Sequence, residues 1–278
     1  MPRPEILTFS VVAKKYLSQR SVSAAHQGNV KRIAGRVSTI SAERINAYLR
    51  RRLEQVSAVT VRSERTILMS LWRDAYEQGL VDELPRGVMR VKARKPPTRA
   101  WTVEQLRHGI EQTHAHDGRR LRSLADKGLL LRTWMLLGYE CGSRHGDLWR
   151  LTGDNLDGDV LRWTQSKTGD GIVKLLSPAC VAACRGMLKD SPDGRILGWA
   201  CKPRQAMRLM RLHLDACGLP GTSKFLRRSG ATHIEIASPG KATIHLGHRT
   251  ASLAAQAYID WGQVRQHAPQ TPVLVSID

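Results

Sequence analysis

The chain has 278 residues, 41% of them apolar, which is enough for two ordinary domains with cores of their own and too many for a disordered polyelectrolyte. Its 44 Lys and Arg against 24 Asp and Glu leave a net charge of +20, far beyond what solubility requires, so the expected partner is a polyanion, nucleic acid before an anionic membrane. No apolar run approaches the length of a membrane span, and MPRPEILTFS lacks the apolar stretch of a signal peptide. The five cysteines form no CxxC pair, so free thiols in a reducing cytoplasm are expected rather than a disulfide framework or a zinc ribbon.

Residues 1–100 hold 20 basic and 8 acidic side chains, a net +12, which leaves +8 for the remainder, so both halves are basic. Helical spacing of apolar residues predicts helices over 7–18, about 22–36, 41–55 and 58–79. Ser41 is a predicted start and Gly79 a predicted stop. In the last helix Val61, Leu68, Leu71 and Trp72 share a face, while Arg62 and Arg65 lie on others and are candidate DNA contacts.

Next comes RGVMRVKARKPPTRA, residues 86–100, where a Pro-Pro pair forbids a helix. Lys92, Arg94, Lys95 and Arg99 in this stretch are candidate phosphate contacts of an extended connection between two lobes. The domains are therefore placed at 1–90 and 101–278, with a basic linker at 91–100.

Beyond the linker, helices are predicted over 102–112, with Thr102 as N-cap, and over about 123–140. DGDVLRWTQSKTGDGIVKLLS then changes period and reads as a β-hairpin. Further helices are predicted at 178–189, 203–217, 226–237, 241–247 and 250–258. TPVLVSI in the tail 262–278 fits a short strand or an arm on a neighbouring subunit. The fold class expected is mainly α with a small antiparallel β-sheet, in two domains.

A phosphodiester is a stable monoanion. Cleaving it needs cations on the nonbridging oxygens and an acid for the departing 5′ oxygen. Arginine suits the first task through its planar charged fork, and lysine or histidine the second. Arg144 follows a tight break at Gly142 and Ser143, and Asp147 is placed one helical turn on to orient its guanidinium. Lys167 is predicted at the hairpin tip. Lys224, Arg227 and Arg228 begin an apolar-faced helix, and spacing alone does not decide which arginine is catalytic and which contacts phosphate.

His245 and His248 lack the further ligands of a zinc site, so His248 is expected to be a donor at a helix end rather than a metal ligand. Tyr258, ten residues after His248, is the only tyrosine in the last 139 residues. No Walker A sequence occurs, so strand joining would draw on a covalent protein–DNA bond.

GSRHGDLWRL, QSKTG, KFLRRSGATH and LGH followed by a tyrosine stand in an order that resembles the tyrosine recombinase, or phage integrase, family across nearly the whole chain. The resemblance implies that Arg144 and Arg227 bind the scissile phosphate, Lys167 protonates the 5′ oxygen, His248 assists, and Tyr258 forms a 3′-phosphotyrosyl bond, with no cofactor. It implies a core-binding domain in the N-terminal half, double-stranded DNA as substrate, a homotetramer on DNA and an accessory DNA-bending protein as a further partner. Lys224 stands where the family usually has histidine, and the His248-to-Tyr258 spacing is one residue longer than is common. The competing expectations are type IB topoisomerase-like relaxation and a non-cutting DNA-binding protein of the same fold.

Overall fold

The computed structural model describes residues 7–94, 96–248 and 250–267, without the side chains of Leu253 and Gln256. Lys95 and the predicted tail segment TPVLVSI lie outside the described residues. The chain divides between Pro96 and Pro97 into two compact units.

The first unit holds helices α1 (Phe9–Ser18), α2 (Ala24–Ala34), α3 (Ala42–Gln55) and α4 (Ala58–Glu77). Each begins at a hydroxyl that accepts a hydrogen bond from a first-turn N–H, from Thr8, Ser23, Ser41 and Ser57 in turn. Phe9, Ile33, Ile45, Leu49, Leu68 and Leu71 close one core. Glu64 is also buried there, accepting from Tyr48 Oη at 2.7 Å and from both arms of the Arg52 fork at 3.0 and 2.9 Å. Burial raises its pKa, but Arg52 and Tyr48 outweigh burial and hold the carboxyl below its ordinary value.

The segment after α4 is irregular, yet its first part is fixed to this unit. Asn46 donates to Gly87 O at 2.9 Å and accepts from Met89 N at 2.8 Å, and Arg65 Nε donates to Met89 O at 2.8 Å.

The second unit begins with α5 (Val103–Glu111), held by a capping box between Thr102 and Gln105. The next helix, α6 (Lys127–Glu140), starts four residues later than predicted. Leu124 adopts a positive φ of 66°, and the Asp126 carboxylate caps the helix at Leu129 N, 2.8 Å away. Leu130, Leu131, Trp134, Met135 and Leu137 bury α6 almost completely, as its near-continuous apolar sequence requires.

A four-residue helix, α7 (His145–Leu148), follows. The predicted hairpin forms as β2 (Val160–Thr164) against β3 (Gly171–Leu175), and β1 (Leu156–Asp157) adds a third antiparallel strand on the outer side of β2. Alternation sends Leu161 and Trp163 inward from β2 and leaves Val173 and Leu175 outward on β3. The chain continues through α8 (Pro178–Lys189), α9 (Pro203–Ala216), α10 (Lys224–Ala237), α11 (Ala242–Leu246), α12 (Ala251–Ala257) and α13 (Trp261–Gln266).

Asp260 fastens the end of this succession. Its buried carboxylate accepts from Ala100 N at 3.1 Å and Gly262 N at 3.0 Å, and its own N–H donates to Thr232 Oγ1 at 2.9 Å. Gln263 Nε2 adds a bond to Ala100 O at 3.0 Å. The fold is mainly helical with a small antiparallel sheet, as expected. No helix among the described residues is long and apolar enough to cross a membrane.

Candidate active site

Five separate stretches of the second unit converge on one cavity of about 520 Å³. Arg144, Lys224, Arg227, Arg228 and Tyr258 line it together with Trp134, His145 and Met207. The central group is Arg227, on the first turn of α10 and only 5% exposed. Its guanidinium donates to Gly142 O, to Leu246 O at 3.2 Å and to His248 Nε2 at 2.9 Å. The same group lies 4.7 Å from the centroid of the Tyr258 ring. Of the two adjacent arginines, Arg227 is thus the buried one, while the half-buried Arg228 lies over Phe225 at 5.3 Å.

Burial lowers the Arg227 pKa to about 10, with Tyr258 opposing the shift and Arg144 adding to it, so the guanidinium stays charged near neutrality. His248 lies 5.1 Å, centroid to centroid, from Tyr258. Burial, with Arg227 and Arg144 adding like charge, pushes its pKa down to about 4. Arginine has no acceptor, so Nε2 of a neutral His248 accepts from Arg227 and the ring proton sits on Nδ1. Nδ1, which carries that proton, is buried and has no hydrogen-bond partner among the described residues.

His245 and His248 do not share a helical face. Gly247, at φ 60°, ends α11 between them and turns the chain, leaving His245 buried. A Cβ at Gly247 would fall against Ile172 Cδ1 and 2.6 Å from Gln165 Nε2, so the turn needs glycine for room as well as for φ. Among the described residues no group of three His, Cys, Asp or Glu could hold a metal ion.

Arg144 precedes α7, and its Nη1 donates to Gln165 Oε1 at 2.9 Å. Asp147 corrects the expectation drawn from its spacing. Its buried carboxylate accepts from Ser166 N at 3.1 Å and Ser166 Oγ at 2.6 Å, so it braces the hairpin loop, and the partner that orients Arg144 is Gln165. Four residues of helix leave Asp147 on the side facing the loop. Lys167 stands exposed in that loop, and Lys224 stands exposed at the start of α10 on the cavity wall.

Two neighbours are assigned no role from the sequence, although one of them opens the QSKTG block. Gln165 is 2% exposed and donates from Nε2 to Leu246 O at 3.2 Å. Lys174, on the inward face of β3, donates to His245 O at 2.8 Å, and burial lowers its pKa. The alternation of β3, once its register is known, sets Lys174 on the same side as Ile172.

In the first unit Arg62, Arg65, Lys92 and Arg94 line a groove of about 690 Å³, joined by Arg90, which its place in the sequence does not single out. Arg65 is partly committed, since its Nε and Nη2 donate to the carbonyls of Met89 and Val88. Arg99 is exposed and belongs to the second unit.

The architecture is the fold of the solved tyrosine recombinases. It is similar to the lambda integrase solved as a dimer bound to a COC′ core site, with a TM-score of 0.75 and 19% identity over 97% of this chain and 81% of that one. The Tn1549 transposon integrase in complex with a circular intermediate DNA gives 0.72 and 13% identity over 94% of this chain and all of that one (100%). XerA recombinase gives 0.51 and 13% over 95% and 99%. No family model and no curated protein sequence matches the chain.

Proposed function

We propose that the protein is a site-specific DNA recombinase, an integrase that cuts and rejoins double-stranded DNA through a 3′-phosphotyrosyl intermediate. The observation that carries this reading is Arg227, whose one guanidinium meets His248 and the Tyr258 ring on a cavity that Arg144 also lines. Arg144 and Arg227 hold the nonbridging oxygens of the scissile phosphate, and His248 assists through its bond to Arg227. The Tyr258 oxygen attacks phosphorus and its proton passes to water. The P–O5′ bond breaks, and the electron pair leaves on the 5′ oxygen, which takes a proton from Lys167. Attack by a 5′ hydroxyl on the phosphotyrosine reverses these steps and joins the strand without ATP.

Lys224, in place of the family's usual histidine, contributes charge to the phosphate. The first unit acts as a core-binding domain through Arg62, Arg65, Lys92, Arg94 and Lys95, and Arg99 and Arg228 add backbone contacts. Lambda integrase has been solved as a tetramer on a Holliday junction, and a homotetramer on DNA is the working assembly proposed for this chain too. An accessory DNA-bending protein and a cytoplasmic location complete the reading.

The test is incubation with nicked suicide duplexes drawn from the protein's own genomic junctions, in chelator, with adducts resolved on denaturing gels beside Tyr258→Phe. A covalent adduct that the variant loses is the expected result. Tight, salt-sensitive binding without an adduct would replace this reading with a non-cutting DNA-binding protein. Relaxation of supercoiled plasmid by a monomer, without exchange between sites, would replace it with a topoisomerase.

A further inference from the structure

We propose that Gln165 is the positioning residue of the phosphate site, acting through Arg144, an inference that rests on the recombinase reading above. It starts from one buried amide that reaches three of the four motif blocks. Oε1 accepts from Arg144 Nη1 at 2.9 Å and from Thr168 Oγ1 at 3.1 Å, beside Lys167. Nε2 donates to Leu246 O at 3.2 Å, the carbonyl that also accepts from Arg227.

The orientation of the amide is fixed by its partners. Arginine only donates and a carbonyl only accepts, so the reversed amide would set donor against donor and acceptor against acceptor. The backbone of Gln165 is tied as firmly, its N–H to Asp170 O and its carbonyl to Gly169 N, both at 2.9 Å. The side chain therefore aims the Arg144 guanidinium from a rigid base. Asp147, whose spacing suggested that task, gives its Oδ1 to Ser166 and makes no hydrogen bond to Arg144 among the described residues.

Lys174 completes the attachment. From the inward face of β3 it holds His245 O, one residue before the carbonyl that Gln165 holds. The hairpin bearing Lys167 and the turn bearing His248 are thus joined by Gln165, just past the end of β2, and Lys174 on β3. Gln165 neither touches Tyr258 nor lines the cavity, so its effect on the reaction passes through Arg144.

The experiment measures single-turnover adduct formation by the full chain on a suicide duplex carrying either a normal scissile phosphate or a methylphosphonate, in which a methyl group replaces one charged oxygen. Removing a hydrogen bond to a charged group should slow Gln165→Leu by about 10- to 100-fold on the phosphate, with DNA affinity unchanged. On the neutral methylphosphonate, which asks less of Arg144, the penalty should shrink several-fold. A purely structural role would leave it the same on both substrates.

Gln165→Glu keeps an acceptor for Arg144 but sets a second acceptor against Leu246 O, so its rate on the phosphate should fall, though by less than that of Gln165→Leu, and it serves if Gln165→Leu does not fold. Parental rates in Gln165→Leu, equal penalties on the two substrates, or a Gln165→Glu defect as large as that of Gln165→Leu would overturn the proposal. A parental protein that forms no adduct would instead overturn the recombinase reading, so the two failures are told apart.

Discussion

His245 offers the sharpest test of the electrostatics beneath the site. It is 8% exposed, and burial, with Lys174 and then Arg227 adding like charge, pushes its pKa down to about 3. An unfolded chain has an ordinary histidine near 6.5 at this position. Between these two values the unfolded state binds the proton and the folded state does not, so stability falls as pH drops through the window. At about 1.4 kcal/mol per pH unit, this one residue should remove about 2–3 kcal/mol between about pH 7.5 and about pH 4.5.

His245→Gln abolishes the titration and keeps a polar side chain there. Urea unfolding followed by tryptophan fluorescence reports mainly on the second unit, which holds six of the seven tryptophans. The other histidines with depressed pKa values titrate in both proteins and cancel. The variant should therefore lose about 2–3 kcal/mol less than the parent over this pH range, whatever its stability at neutral pH. Identical losses in the two proteins would refute the claim that His245 is held neutral by its surroundings.

Other outcomes follow from the same contacts. Gly247→Ala combines a positive φ with a Cβ pressed against Ile172 and Gln165, and should lower stability by about 2–5 kcal/mol, seen as a lower melting temperature. Arg227→Lys keeps a charge but cannot reach Gly142, Leu246 and His248 together. It should slow adduct formation by about 100-fold or more with DNA binding retained. Replacing Arg62, Lys92 and Arg94 by alanine should weaken binding to all duplexes alike and reduce the slope of log K against log salt by about 0.9 for each phosphate that is no longer neutralised.

Most of the helices were legible in the sequence because their apolar faces are long and their starts carry hydroxyl caps. α8 falls at the predicted 178–189, and α3 and α4 begin at Ser41 and Ser57. Elements too short to show a period were missed, namely the four-residue α7, the two-residue β1 and the six-residue α13. The cationic residues and Tyr258 were recognisable because their chemistry is distinctive. Gln165, although it opens the QSKTG block, was given no role, since an uncharged amide does not declare one until folding buries it against Leu246 and Arg144. Asp147 misled for a related reason. Spacing along a helix says which residues share a face, but the competing partner, Ser166, arrives from another part of the chain.

The bonds of Asp260 set a limit on reach. Only Ile259, itself 3% exposed, separates Tyr258 from the residue that is fastened to Ala100 and Thr232. Two residues of extended chain span about 7 Å at most, so the tyrosine has almost no slack while these bonds stand. Under the recombinase reading, the group proposed to hold the phosphate, Arg227 of the same molecule, already stands 4.7 Å from the Tyr258 ring, and carrying the tyrosine to a neighbouring molecule would first require the carboxylate to let go of Ala100, which makes the choice between the two a question of tether length.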